Sequence, residues 1–227
     1  MDQQQLLEWN SQLRSESPPA IVRWALAQAA GRAVVSTNFR PYEAVLLHLC
    51  AHAQPDIPVL WVDHGYNRPA TYRHAEQLRA LLRLNLKTYL PRLSPAHRDA
   101  IHGPLPGPNE ESALKEFSAL MKLEPFRRGM AELAPRVWLT ALRKVQNPHR
   151  AGLDIVAFDS TFNCLKLSPV FYWQDAAMEA YVRLNQLPNE WDYFDPAKAD
   201  DKRECGLHAP WREPLLRQPT EPSTHHA

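Results

Sequence analysis

The sequence predicts an α/β fold: a parallel sheet with helices on both faces. Three observations carry this. Short apolar, β-branched runs alternate with helical periodicity through the first ninety residues. One run, Ile57-Pro58-Val59-Leu60-Trp61-Val62, is apolar throughout, as suits a strand buried on both faces. At 227 residues, 44% hydrophobic and 22% charged, the chain has the length and composition of about one globular domain.

Each element has its own local signals. Residues 3–14 are an amphipathic helix. Ser17-Pro18-Pro19 opens a second, with Ile21, Val22, Leu26 and Ala29 before Gly31 stops it. Ala33-Val34-Val35 is a β-branched strand, followed by the polar Ser36-Thr37-Asn38. Pro41 starts a helix carrying Val45, Leu46 and Leu49. The strand at 57–62 ends at Asp63-His64-Gly65. Tyr72, Ala75, Leu78 and Leu82 share a helix face, and Leu86–Leu90 is the next strand. Residues 91–109 are proline-rich and read as a loop over the site. Helical pattern runs from Glu110 to Met121 and restarts after Pro125. Val137–Thr140, Asp154–Phe158 and Cys164–Leu167 are further strands, and Gln174–Asn185 a helix. Residues 1–208 are expected as one domain, with helices over 1–30, and 209–227 as a flexible, proline-rich tail.

Composition narrows the function classes. A formal net charge of +1 argues against a general nucleic-acid binder. Three cysteines rule out a disulfide scaffold and a four-cysteine metal or iron–sulfur site within one chain, and they fit a reducing compartment. Seven glycines leave little for a glycine-rich phosphate loop. The polar start Met1-Asp2-Gln3-Gln4-Gln5 lacks a secretory pattern and no run reaches membrane-span length, so a cytoplasmic protein is expected.

In open parallel sheets, ligands bind beyond the carboxyl ends of the strands. Here those ends are Ser36–Phe39, Asp63–Gly65 and the turn after Val137–Thr140. Residues 36–40 precede a helix, whose N-terminal N–H groups and dipole favour anions; an ordinary polar turn is the plainer reading. Arg143, Lys144, His149 and Arg150 could hold phosphate or sulfate, or form a solvated basic loop. Asp63 could bind a ribose or adenine edge, or cap the following helix. His48 and His52 have metal-ligand spacing without a third ligand, so no metal is expected there. Cys50 and Cys164 read as buried packing. Trp191, Tyr193 and Phe194 read as core closers rather than an adenine platform. Near the C-terminus, Lys202-Arg203-Glu204-Cys205-Gly206-Leu207-His208 places a thiol among cations that would stabilise its thiolate.

This heptad resembles the cysteine-bearing C-terminal signature of the phosphoadenylyl-sulfate (PAPS) reductases, the thioredoxin-dependent enzymes of sulfate assimilation. Other stretches are similar in the same order. Ser36-Thr37-Asn38-Phe39 resembles the family's phosphate loop. Val62-Asp63-His64-Gly65-Tyr66, with Pro69 and Thr71-Tyr72, resembles its Asp-Thr-Gly motif. Lys122-Leu123-Glu124-Pro125-Phe126 resembles its Lys-x-Glu-Pro. Trp138 to Lys144 with Gln146, Arg150 and Ala151 resembles its Gly-x-Arg-Arg-x-Gln stretch, and Lys166-Leu167-x-Pro169 a Lys-x-x-Pro motif. The likeness spans about residues 30–208.

The resemblance implies an adenine nucleotide alpha hydrolase-like, Rossmann-like three-layer fold and a cysteine-biosynthesis reductase acting on PAPS. It implies Cys205 as nucleophile, forming an S-sulfonate that thioredoxin or glutaredoxin releases as sulfite. Nucleotide contacts would come from Ser36, Thr37, Asn38, Phe39, Arg40, Asp63, Gly65, Arg143, Lys144, Arg150, Lys202, Arg203 and His208. A homodimer is implied too. The cysteines of the iron–sulfur branch are missing from Leu142-Arg143-Lys144-Val145, which favours a cluster-free enzyme without cofactor.

The chain also departs from the pattern. Arg40-Pro41 follow Phe39 where the family has glycine. Only Asp192 to Asp201 stand between Trp191 and Lys202, where the family has a longer segment. These departures motivate an alternative: a degenerate member that binds an adenine nucleotide or a partner protein without reduction. A loop that cleaves ATP to adenylate a substrate is a third reading, in which the Cys205 motif would have no purpose.

Overall fold

A computed structural model describes residues 1–146 and 148–196 of the chain. The order is α1 (Gln3–Leu13), α2 (Pro18–Ala29), β1 (Ala33–Thr37), α3 (Glu43–Ala53), β2 (Pro58–Val62), α4 (Pro69–Leu82), β3 (Asn85–Tyr89), α5 (Pro95–His102), α6 (Glu111–Ser118), α7 (Glu124–Leu133), β4 (Val137–Leu139), β5 (Val156–Asp159), β6 (Cys164–Leu167) and α8 (Asp175–Leu184). The strands form one sheet in the order β3-β2-β1-β4-β6-β5. All neighbours are parallel except β5 and β6. Residues 160–163 alone join those two, too short for the crossover that a parallel pair needs.

Side-chain alternation along the central strands builds two cores. Val35, Val59, Trp61, Val137 and Leu139 face one way, against Ile21 and Val22 of α2, Leu46 and Leu49 of α3, Leu78 of α4 and Met178 of α8. Val34, Leu60, Val62 and Trp138 face the other way, against Phe126 and Met130 of α7. The fold is therefore three-layered, as expected. Gly129 lets α7 lie close to the sheet, since a Cβ there would stand 2.8 Å from Leu60 and Tyr89. Asn10 of α1 finishes the β5 edge, its amide donating to Val156 O and accepting from Val156 N–H, both at 2.8 Å.

Three element boundaries differ from the sequence expectation. Residues 91–109 contain α5, which starts on the Ser94-Pro95 cap-and-proline signal; the Ser94 hydroxyl accepts from His97 N–H at 3.2 Å. The helix at Pro125 does not restart after a break: a π turn, Ala119–Leu123, runs straight into α7, and Pro125, which has no N–H to donate, stands where the π turn gives way to α-helix. Finally, α3 begins at Glu43 rather than Pro41, because the intervening turn uses left-handed backbone at Tyr42. Among the described residues no helix is long and apolar enough to cross a membrane.

Candidate active site

Sheet order reverses between β1 and β4: the chain first builds outward from β1 through β2 to β3, then returns to β1's other side with β4. Such a switch point leaves a crevice at the carboxyl ends of the two strands. A cleft lies there. Ser36 and Thr37 of β1 line it with Asn38 just beyond, Thr140, Ala141 and Leu142 line it from the turn after β4, and Lys122 and Phe126 from the helical layer. Leu60 and Val62 of β2, with Arg40, Glu43, Gln146, Arg150, Tyr193 and Asp195, complete the wall.

The turn after β1 is built without glycine. Its left-handed residues are Phe39 (φ +55°) and Tyr42 (φ +70°), not Arg40, so the position that lacks the expected glycine needs no such backbone here. A non-glycine residue in that conformation costs roughly 1–2 kcal/mol. The Phe39 ring offsets its share by burial, edge-on to Trp61 at 5.1 Å. It faces the core, not the cleft. Glu43 Oε2 then accepts from Thr37 Oγ1 at 2.8 Å and from Asn38 N–H at 2.7 Å. Phe39 N–H donates to Thr37 Oγ1, and Tyr42 N–H to Asn189 Oδ1. The N–H groups of residues 38, 39 and 42, which the sequence reading offered to an anion, thus donate to the protein's own oxygens. Ser36 Oγ accepts the indole N–H of Trp138 at 2.8 Å.

Among the described residues, the cationic side chains at the cleft are Arg40, Lys122 and Arg150. Arg40 Nε lies 3.7 Å from Glu43 Oε1, and Arg150 hydrogen-bonds Gln146. Lys122 Nζ reaches both oxygens of Asp195, at 2.7 and 2.6 Å, with both side chains almost wholly buried. Beside them His64 accepts Tyr66 N–H at 3.1 Å. Burial, reinforced by the Lys122 charge, pushes its imidazole down to about 4, so it is neutral at physiological pH.

Other sequence candidates lie elsewhere. Asp63 Oδ1 accepts from Gly65 N–H, Asn67 Nδ2 and Tyr72 Oη, so it organises the turn after β2; it does not cap α4, whose N-cap is Arg68. Gly65 serves that turn with φ +77°. Arg143 is buried under α8, bonded to Asp175 at 2.7 Å and lying over the Tyr42 ring. Exposed Lys144 lies over Tyr172. The basic cluster is therefore split: of Arg143, Lys144 and Arg150, it is Arg150 that lines the cleft; the His149 side chain lies outside what the structure describes. Lys202, Arg203, Cys205 and His208, like the tail at 209–227, lie outside the described residues.

His48 bonds the Tyr181 hydroxyl at 2.9 Å, while His52 Nδ1 meets His48 O. Cys50 and Cys164 are buried, as read from sequence. Burial raises both thiols, Cys164 to about 12, with Asp159 adding to its shift. The aromatic trio does not close the core as expected. Trp191 is exposed and edge-on to Tyr42, Phe194 lies under Arg68, and Tyr193 lines the cleft. Sequence reading gave no role to Glu43, Gln146, Lys122 or Asp195. Glu43 left a signal, an acidic residue in the first turn of a helix. Asp195 left none, because its partner lies 73 residues away.

Residues 32–191 match the family described as the phosphoadenosine phosphosulfate reductase domain. The chain is 33% identical to a phosphoadenosine 5'-phosphosulfate reductase of Synechococcus sp., covering 89% of this chain and 97% of that protein. It is 34% identical to the reductase of the same name from Xanthomonas euvesicatoria, over 88% and 90% of the two chains. The crystal structure of a Candida auris PAPS reductase, a phosphate complex, superposes with a TM-score of 0.72 at 24% identity, covering 84% of this chain and 90% of that one.

Proposed function

The chain belongs to the phosphoadenosine phosphosulfate reductase family, and from that premise we propose that it reduces 3′-phosphoadenylyl sulfate to sulfite and adenosine 3′,5′-bisphosphate. The observation that best supports this is the cleft at the β1/β4 switch point, where Lys122, Arg40 and Arg150 gather beside two strand ends. Cations held in a partly dry crevice suit a ligand with several phosphate and sulfate groups.

The nucleophile in this reading is Cys205. Two of the chain's three thiols are buried and held protonated, which leaves the one in Lys202-Arg203-Glu204-Cys205. Its thiolate would attack the sulfate sulfur, forming an S–S bond as the S–O bond to the phosphate breaks. Adenosine 3′,5′-bisphosphate leaves with that electron pair, and Cys205 carries the S-sulfonate. A dithiol reductant, thioredoxin or glutaredoxin, would attack the adduct and become oxidised to its disulfide while sulfite departs. No cofactor is invoked, since three cysteines cannot supply a four-cysteine cluster in one chain. A homodimer is the assembly we expect.

Mass spectrometry after incubation with PAPS alone tests the reading. An adduct of one sulfonate on Cys205, absent from Cys205→Ser, supports it; sulfite release undiminished in Cys205→Ser sinks the mechanism. The second reading, a nucleotide binder without reduction, draws on the internal pairing of the N–H groups at residues 38, 39 and 42. It predicts a thermal shift with PAPS and no adduct.

A further inference from the structure

We propose that Asp195 is a built-in competitor for the substrate's anionic group. Its carboxylate occupies the seat on Lys122, and the strap carrying it, residues 188–196, must lift before the ligand is seated. This rests on the sulfonucleotide reading above.

The first ground is chemical. A carboxylate that meets one ammonium through both oxygens, at 2.7 and 2.6 Å, presents the same charge and acceptor geometry as two oxygens of a sulfate or phosphate. The pair is buried, and both residues line the cleft. An incoming anion therefore meets a Lys122 already neutralised by the chain itself.

The second ground is space. The cleft holds about 40 Å³ of free volume. That is room for a few water molecules and far less than an adenine nucleotide requires. Something lining the cleft has to move. The sheet ends and α7 are locked into the two cores. Tyr193 and Asp195 are carried on a segment without helix or strand, whereas the other lining groups outside these elements, Asn38, Arg40 and residues 140–142, stand within three residues of the ends of β1 and β4.

The third ground is how the strap is fastened. Besides the buried Lys122–Asp195 pair, the strap has contacts nearer the surface and one part-buried hydrogen bond. Asp192 pairs with Arg68, each half-exposed; Phe194 sits under the same guanidinium at 5.6 Å; exposed Trp191 touches Tyr42; and Asn189 Oδ1 accepts Tyr42 N–H. Exposed ion pairs of this kind contribute little. The buried pair is the clasp, and a ligand anion that replaces Asp195 on Lys122 releases it. The closed population lowers apparent affinity in proportion, and removing the competitor restores it.

The test uses full-length protein in the Cys205→Ser background, so that PAPS stays intact, with calorimetric binding of PAPS to Cys205→Ser and to Cys205→Ser/Asp195→Asn. Asparagine keeps the shape and drops the charge. The double variant should bind at least about tenfold tighter. If Cys205→Ser binds PAPS and the double variant binds equally or more weakly, Asp195 is a support for Lys122 rather than its competitor, and the sulfonucleotide reading survives. If neither variant binds, that reading falls, and this role with it. Should Asp195→Asn fail to fold, hydrogen exchange on Cys205→Ser alone decides. Amides of 189–195 should exchange faster with PAPS present; unchanged or slower exchange overturns the proposal.

Discussion

The turn at residues 36–43 and the strap at 188–196 meet at one cleft, and each brings a carboxylate to it. They are held in opposite ways. Glu43 bonds Thr37 and Asn38, six and five residues away, so the turn closes on itself as soon as β1 and α3 form. Asp195 bonds Lys122 across 73 residues, so its position exists only after the whole sheet and the α6–α7 layer are assembled. A locally closed turn is a rigid wall. A segment whose buried ion pair is formed across the fold, and whose other links include half-exposed ones, is a part that can open.

Breaking the clasp from its other side should have the largest effect on stability. Lys122→Met leaves Asp195 buried without its ammonium, and we expect a loss of about 3–5 kcal/mol. Chemical denaturation measures it, and a loss below about 1 kcal/mol would show that the pair is not buried in solution. Replacing both partners, as Lys122→Met/Asp195→Leu, should recover most of the loss.

The turn should respond less. Glu43→Ala removes a charged acceptor from Thr37 Oγ1 and Asn38 N–H, and an effect of about 2 kcal/mol is expected. The melting temperature should fall by roughly 4–8 °C for a chain of this size. An effect as large as that of Lys122→Met would erase the distinction between wall and clasp.

The smallest effect belongs to the outer fastening of the strap. Asp192→Asn removes a half-exposed pair with Arg68 and should change stability by less than about 1 kcal/mol. What difference there is should shrink in high salt, since exposed pairs are screened. A salt-independent loss above that value would make the surface pair, not Lys122–Asp195, the principal fastening.

Much of the fold was legible because its signals are local. The apolar run at 57–62 marks a doubly covered strand, and Ser17-Pro18 and Ser94-Pro95 mark helix starts. The second lies inside a proline-rich stretch whose composition reads as loop. The site was legible only where a motif coincides with a strand end, as at Ser36–Asn38. The run Arg143-Lys144 looked like one basic surface with Arg150, yet Arg143 turns under α8 and Lys144 out over Tyr172. Nothing in linear spacing tells which face of a loop a side chain takes.

By itself, then, the sequence determined the alternation of strands and helices, the family resemblance, and the isolation of Cys205 as the one thiol outside apolar surroundings. These follow from periodicity, composition and residue order, which act over a few neighbours. Only the tertiary structure decided that Phe39 is an anchor, that Asp63 organises a turn, and that Glu43 and Asp195 face the cations of the cleft. Those outcomes depend on which distant surfaces the sheet brings together. A buried charge such as Lys122 must find its partner there, since leaving it unpaired in the interior costs several kcal/mol.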